Sequence, residues 1–370
     1  MKKFIVLPIV FIGMLLLSFN TRGQDPNYTQ YFSTPIYYNP AYTGINSGVR
    51  ARFAFRDQWP SLPVDYKSYF FSADVGDRNL PGSGGLGLYV NSNNYGKSYI
   101  NDLSFGLSIS VRIPITALFV SQIGIKAAVV QHKIDYPSMV FGDELNEKYG
   151  RIYSTQFPVD VYSNKKVFPD FGIGGLFQFA NPDGIITGTG GFAVDHIFQP
   201  DEAFLSTATA KIPRKYVAHL DLVISTSPGG SSSSMYTNGG GGDPLRINPG
   251  FLYQSQGNLN SLVAGFNILK YNLYLGAWYR TALKNNPSTA VALVAGYKYT
   301  FAEDMSLKFM YSYDLQISSN LQGLGGAHEI SLILEFDKLS LFGGGNRGGS
   351  FNTPGRSFRG GGPLECPSFY

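Results

Sequence analysis

The sequence predicts an all-β fold, a transmembrane antiparallel β-barrel of the outer-membrane type with about fourteen strands. Three observations lead there. Between Arg50 and Phe336 the chain divides into segments of roughly ten residues in which apolar and small or polar side chains alternate. Aromatic residues make up 15% of the chain, with 25 Tyr and 28 Phe, while charged residues reach only 15%, against about a quarter in a soluble domain. After the N-terminal apolar run, no stretch reaches the roughly eighteen apolar residues that a membrane-spanning helix needs.

The first element is a leader. Met1-Lys2-Lys3 is basic, Phe4 to Phe19 is apolar, and Thr21-Arg22-Gly23 ends in a small residue suited to cleavage before Gln24. Residues 1–23 therefore read as a secretory signal peptide. As a membrane anchor the run would be short, and Pro8 interrupts it. No cysteine follows it, so a lipid anchor is not supported. The net charge of +4 falls to +1 once Lys2, Lys3 and Arg22 leave, which leaves no electrostatic footprint for nucleic acid. The one cysteine, Cys366, has no partner for an internal disulfide and is a weak metal-site candidate.

Residues 24–48 are expected to form an extended lead-in or a plug, and residues 49–336 the barrel. Strands are expected near 49–56, 67–75, 84–91, 101–112, 119–132, 169–180, 188–198, 215–226, 245–255, 258–269, 271–281, 288–301, 305–317 and 327–336. In the expected strand 101–112, for example, Leu103, Phe105, Leu107, Ile109 and Val111 alternate with Ser104, Gly106, Ser108, Ser110 and Arg112, so the strand has one oily and one wet face. Connection lengths supply a second test. Barrels of this type have short periplasmic turns and longer external loops, and 113–118, 181–187, 270–271 and 302–304 are short and share one parity. The exception is Ser227–Asp243, a Ser- and Gly-rich insertion on the short side. The final segment, 337–370, is rich in Gly, Arg and Ser. It cannot bury enough apolar surface to offset its ordering entropy, so it is expected to be a flexible periplasmic tail.

Enzyme signatures are poor. His132, His196, His219 and His328 stand far apart with no metal-ligand spacing, and are expected on strand faces or at rims. Gly84-Gly85-Leu86-Gly87-Leu88 falls inside a strand and lacks the Lys-Ser/Thr of a phosphate loop. No Ser/His/Asp set is marked by spacing, so no catalytic residue, cofactor or metal is expected. The wet faces carry more information. Arg50, Arg52, Arg56, Asp74, Arg112, Lys126, Asp221, Arg280, Lys308, Asp314, Glu329 and Glu335 all fall on the polar side of their strands. A charge facing lipid at the midplane costs about 2–4 kcal/mol, so these should point inward, either as ion pairs filling the lumen or as the lining of a selective pore.

Several motifs resemble a known family. Gln30-Tyr31-Phe32-Ser33-Thr34-Pro35-Ile36-Tyr37-Tyr38-Asn39-Pro40-Ala41-Tyr42-Thr43-Gly44 is followed by Phe55-Arg56-Asp57-Gln58-Trp59-Pro60. Further along stand Gly84-Gly85-Leu86-Gly87, Arg112-Ile113-Pro114, Phe168-Pro169-Asp170-Phe171-Gly172, Gly276-Ala277-Trp278-Tyr279-Arg280, Tyr311-Ser312-Tyr313-Asp314, Gly326-Ala327-His328-Glu329 and Cys366-Pro367-Ser368-Phe369. In this order they closely resemble the PorP/SprF outer-membrane proteins of the type IX secretion system. The resemblance implies a non-enzymatic component in the outer membrane of a Gram-negative bacterium. Its implied partners are outer-membrane lipid, the translocon, periplasmic ring and peptidoglycan-binding lipoproteins, and cargo with a C-terminal secretion signal, such as adhesins, with gliding motility in some bacteria. Its implied role is a docking platform for secretion or surface retention of cargo, and the alternative is a small-solute porin or substrate-specific channel. Candidate motif or partner-contact residues are Asn39, Pro40, Tyr42, Gly44, Arg56, Gln58, Trp59, Arg280, Asp314, His328, Glu329, Cys366 and Pro367. Physically, Pro40 forces Asn39 out of helical geometry and Gly44 permits a sharp turn into the first strand. Trp59 suits either a partner-binding anchor or an interfacial belt, and Arg280 with Asp314 suits a luminal ion pair.

Overall fold

The computed structural model describes residues 25–64, 66–76, 84–96, 99–116, 118–156, 164–204, 209–226, 244–283, 289–302, 304–318 and 325–337. Residues 1–24, with the expected signal peptide, residues 227–243 and residues 338–370, with Cys366 and Pro367, lie outside the described residues.

In chain order the strands are β1 (Gly48–Gln58), β2 (Tyr66–Gly76), β3 (Gly85–Tyr95), β4 (Ile100–Thr116), β5 (Phe119–Ile134), the short pair β6 (Leu145–Asn146) and β7 (Gly150–Arg151), β8 (Lys165–Ala180), β9 (Ile186–Asp195), β10 (Lys215–Ser225), β11 (Arg246–Gln256), β12 (Leu259–Lys270), β13 (Leu273–Ala282), β14 (Thr289–Ala302), β15 (Met305–Gln316) and β16 (Ala327–Phe336). All except β6 and β7 join in one closed barrel of fourteen strands, each paired with its neighbour in the chain and β5 with β8. The barrel closes where β1 meets β16 antiparallel, from Val49 opposite Phe336 to Gln58 opposite Ala327. Closure gives every wall strand a neighbour on each side, which a bilayer requires, and β8 projects outward past its pairing with β9, which begins at Ile173 opposite Val194.

The alternation in the sequence becomes the two faces of the wall. Phe105, Leu107, Ile109 and Val111 of β4 and Ile123, Ile125 and Val129 of β5 are exposed on the outside, while Ser108, Ser110, Gln122 and Lys126 between them are buried. Aromatics gather near both ends of the strands. Phe119, Phe177 and Phe179 stack at one end, with centroid separations of 6.2 and 6.4 Å. Trp59, Tyr66 and Tyr95 meet edge to face at the other.

One end of the barrel holds both wall termini and the two-residue connections 117–118, 271–272 and 303–304. Tyr271 adopts φ 55°, the left-handed conformation that tight hairpin turns need. The opposite end carries 135–164, 196–214 and 317–326. Short turns are periplasmic in such barrels, so the end with the long connections is the outer one. Gly257-Asn258 is a two-residue exception there. Strand limits differ from the expected ones by three residues or more at four places. β3 runs to Tyr95 rather than 91 and β4 to Thr116 rather than 112, because pairing persists to Tyr95 opposite Ile100 and to Thr116 opposite Phe119. β8 starts at Lys165 rather than 169, because pairing with β5 persists to Lys133 opposite Lys165. β9 stops at Asp195 rather than 198, because His196 takes φ 54° and sits between two carboxylates.

The long outer connection between β5 and β8 is folded on itself. Glu144, buried in it, holds Arg151 through Nε at 2.9 Å and accepts from the Phe141 N–H at 3.2 Å. Asp143 accepts from the Gln156 N–H at 2.6 Å and from the Thr155 hydroxyl. That backbone N–H and hydroxyl hold its carboxyl below the ordinary range.

Leu107 lies in the middle of β4 with its side chain outward. Replacing it with Arg is expected to lower the unfolding free energy in lipid vesicles by about 2–4 kcal/mol, measured by denaturant titration. Leu107→Met should leave it near the wild-type value.

Candidate functional site: a plugged lumen and its outer mouth

Residues 25–47 run inside the barrel, from the outer half to the periplasmic end, rather than lying across its floor. The segment makes three short turns: a 3-10 turn at Tyr31–Ser33, the helical turn α1 (Pro35–Tyr38), and a 3-10 turn at Pro40–Tyr42. Pro35 and Pro40 each open a turn, where a fixed φ and a missing N–H cost nothing. Tyr28, Tyr31, Phe32, Ile36, Tyr38, Tyr42 and Ile45 are buried in the main apolar cluster. Each fully buried side chain of this size contributes about 1.5–3 kcal/mol relative to exposure. Trp278 on β13 is the wall's main apolar contribution. Its ring lies 5.6 Å from Phe32 and 5.4 Å from Tyr31, and its indole N–H donates to Asn267 Oδ1 at 3.1 Å.

Three anchors fix this segment. The first is the Tyr38–Gly44 motif. Asn39 Oδ1 accepts from the Ala41 N–H at 2.9 Å, and Asn39 Nδ2 donates to the Gly175 carbonyl at 3.1 Å and lies 3.1 Å from His219 Nε2. The Tyr42 hydroxyl lies 3.0 Å from His219 Nδ1. Since the amide nitrogen can only donate, Nε2 accepts and Nδ1–H donates to Tyr42, which makes His219 a neutral imidazole. The wall approaches so closely that side chains are excluded. A Cβ on Gly174 would stand 2.0 Å from Asn39 Oδ1, and one on Gly124 would stand 2.5 Å from Ala41 N. Gly44 then turns the chain with φ 60° and donates its N–H to Asp74 Oδ2 at 2.9 Å.

The second anchor is a cluster of charges. Arg56 Nη2 is 2.6 Å from Asp314 and Nη1 is 2.9 Å from Glu329, while Arg280 Nη1 is 3.4 Å from Asp314. Glu329 also accepts from the backbone N–H groups of Thr29 and Gln30 at 2.8 and 2.9 Å. The Thr29 hydroxyl donates to Asp314 at 2.8 Å, and Gln30 Nε2 donates to Ser312 at 2.9 Å. Lower in the barrel, Arg52 pairs with Asp74, and Glu335 pairs with Lys308 at 3.0 Å and Arg50 at 3.4 Å. The wet faces thus carry paired charges of mixed sign.

The third anchor holds the outer end of the segment. Asp25 Oδ2 is 3.1 Å from both Lys215 Nζ and His196 Nε2, and His196 Nδ1 is 3.0 Å from Asp170. Lys126 binds Asp195 at 2.9 Å and donates to the Tyr37 carbonyl at 3.1 Å. Burial opposes ionisation of His196, but Asp25 and Asp170 outweigh it and raise the pKa to about 10. Burial likewise opposes the Asp25 carboxylate, and Lys215 and His196 outweigh it and hold its pKa well below the ordinary value.

Above the plug lies a cavity of about 1220 Å³ open at the outer end. Its floor includes Asp25, Pro26 and Tyr37, and its walls include Gln58, Trp59, Tyr66, Asn93 and Gln254.

The motif residues therefore converge. Asn39, Pro40, Tyr42 and Gly44 lie in the plug, and Arg56, Arg280, Asp314 and Glu329 meet beside its Thr29-Gln30 stretch. Gln58 and Trp59 stand at the mouth, with the Trp59 backbone N–H donating to the Gly326 carbonyl at 2.9 Å. His328 stands apart: it sits next to the Tyr311 hydroxyl, 2.8 Å away, beside the outward-facing rings of Tyr311 and Tyr313. Sequence reasoning missed Asp25, His196, Lys215 and His219 as anchors. Each is an isolated residue in the sequence whose partner is distant, 180 positions away for His219 and Asn39.

Together these features define an outer-membrane-type β-barrel whose lumen is occupied by its own N-terminal segment. The chain belongs to the family described as Type IX secretion system membrane protein PorP/SprF, which matches residues 20–334. No curated protein matches the sequence. Among solved structures, the chain is similar to a Pseudomonas aeruginosa FadL homologue (13% identity, 85% of this chain and 95% of that one, TM-score 0.40). It is also similar to the Ralstonia pickettii toluene transporter TbuX (10% identity, 82% and 92%, TM-score 0.42). CdiB from Acinetobacter baumannii matches at 9% identity over 78% of this chain, with TM-score 0.42, and the chain spans 60% of the length of that protein.

Two outcomes follow from the anchors. In a Cys366→Ser, Ala41→Cys background, adding Gly174→Val should speed labelling by a polar maleimide more than about tenfold, the effect of a ~1.4 kcal/mol loss of plug stability. Separately, the raised pKa of His196 means its ion pairs stabilise fully below about pH 6.5 and lose that contribution as pH rises through about 10. Denaturant unfolding of wild type and His196→Gln should differ by a few kcal/mol at pH 7, and the gap should close by about pH 11.

Proposed function

We propose that the protein is a non-enzymatic docking platform of type IX secretion, reached after cleavage of residues 1–23. Its outer connections, chiefly 133–168, engage cargo such as adhesins bearing the system's C-terminal signal. Its inner turns and the tail 337–370 contact periplasmic ring or peptidoglycan-binding lipoproteins. In bacteria that glide, the same arrangement serves surface adhesins. The observation that carries this reading is the filled lumen: residues 25–47 occupy the interior and the wall charges pair with them or with each other. A barrel stoppered in this way offers no conduit for a protein and weighs against a solute pore. The ordered fold of the 135–156 region, built on Glu144 and Asp143, supports its use as a contact surface.

The test is a mild-detergent pull-down with the intact protein and with a chain ending after Phe336. Loss of periplasmic lipoproteins with retention of cargo is the expected result. Unchanged partners would refute the role of the tail, and loss of cargo alone would reverse the assignment of the two faces.

A further inference from the structure

We infer that the outward-facing cavity is a binding site for an uncharged oligosaccharide, a role separate from the docking proposed above. The cavity is large enough, at about 1220 Å³, for an elongated ligand of several sugar rings but not for a folded domain. Its buried charges are already engaged: Arg56 with Asp314 and Glu329, Lys126 with Asp195, Lys215 with Asp25, and His196 with Asp25 and Asp170. A charged ligand would have to break these pairs.

Neutral groups are left unengaged. Asn93 and Gln254 line the cavity at 4% and 5% exposure. Asn93 Oδ1, both polar atoms of the Gln254 amide and the Trp59 indole N–H have no hydrogen-bond partner. Leaving such groups dry and unpaired is unfavourable, and a ligand supplying hydroxyls removes that cost. They also stand well apart. Asn93 is on β3 and Gln254 on β11, six strands distant around the ring of fourteen, so a ligand touching both spans the mouth.

The rim is aromatic. Trp59 and Tyr66 meet at 5.3 Å and Tyr66 and Tyr95 at 5.2 Å, both edge to face. Amphipathic rings of this kind present an apolar face beside a polar tip, which matches the C–H face and hydroxyl edge of a pyranose. An uncharged peptide is the competing class. Peptides gain much of their affinity by pairing main chain with a free strand edge, and Asn93 and Gln254 stand in stretches of β3 and β11 that are paired on both sides.

The test uses the full-length protein in detergent micelles, titrated with maltohexaose, the fully N-acetylated chitohexaose and mannohexaose and with the hexapeptide Ser-Gly-Ser-Gly-Ser-Gly, N-acetylated and C-amidated so that it is uncharged. Intrinsic fluorescence reports the site, because the chain has two tryptophans and Trp278 is buried under the plug at 2% exposure. Saturable binding of at least one hexasaccharide is expected. Gln254→Leu and Asn93→Leu should each weaken it about tenfold or more without lowering Tm, since neither removes an existing hydrogen bond of the unpaired atoms. Trp59→Phe, read by calorimetry, should weaken it too. No binding of any hexasaccharide at about 10 mM, unchanged affinity in all three variants, or equal binding of the peptide would overturn the assignment.

Discussion

The Arg56 guanidinium, held between Asp314 and Glu329, is the interaction on which the rest of the structure depends. Arg56 is on β1 and Glu329 on β16, so the pair lies across the seam that closes the barrel, where the two residues are register partners. Arg280 adds a second cation to the two carboxylates, and the cluster balances in charge. A balanced buried cluster is tolerable only when its remaining lone pairs are satisfied. The plug supplies most of this, giving Glu329 two backbone N–H donors and Asp314 Oδ2 a hydroxyl, while Asp314 Oδ1 and Arg56 Nε keep no hydrogen-bond partner. Closing the wall and seating the N-terminal segment are therefore one event: neither the seam charges nor the plug backbone is satisfied without the other.

The same logic explains why the wall is rich in glycine on its inner face. The Asn39-Pro40-Ala41 turn comes within van der Waals contact of the wall backbone at Gly124 and Gly174. Removing Cβ atoms from the wall lets a segment with aromatic bulk on one side and backbone on the other fit a lumen of fixed width. The packing is dense below Asp25 and absent above it, so the molecule has a sealed interior and an open outer cavity. Sealing and opening at different depths keep the two surfaces chemically distinct. The inner end presents turns, and the outer end presents a folded loop and an aromatic rim.

Much of the wall was legible in the sequence because a period of two is a local signal. Leu103 to Arg112 reveals its two faces without reference to any other strand, and the cost of charge in lipid assigns Arg50, Arg52, Lys308 and Glu335 to the interior. Pairing partners were harder to read. Arg280 and Asp314 were legible as a pair because both fall on wet faces of nearby strands, whereas Lys215 and His196 gain meaning only from Asp25, 190 and 171 positions away. The path of residues 25–47 was not readable either. Three turns of three or four residues carry no periodicity, and Pro40 and Gly44 specify local geometry without saying what lies opposite. Similarly, β9 was expected to run on to 198, because nothing local shows that two carboxylates turn His196 out of the strand.

The central claim is that the N-terminal segment closes the barrel, and single-channel recording in planar bilayers tests it most directly. The account predicts that the intact protein shows no stable conductance, while a chain lacking residues 25–47 opens persistent channels or fails to close its wall. Robust conductance from the intact protein, or identical silent behaviour from a properly folded chain without the segment, would contradict it.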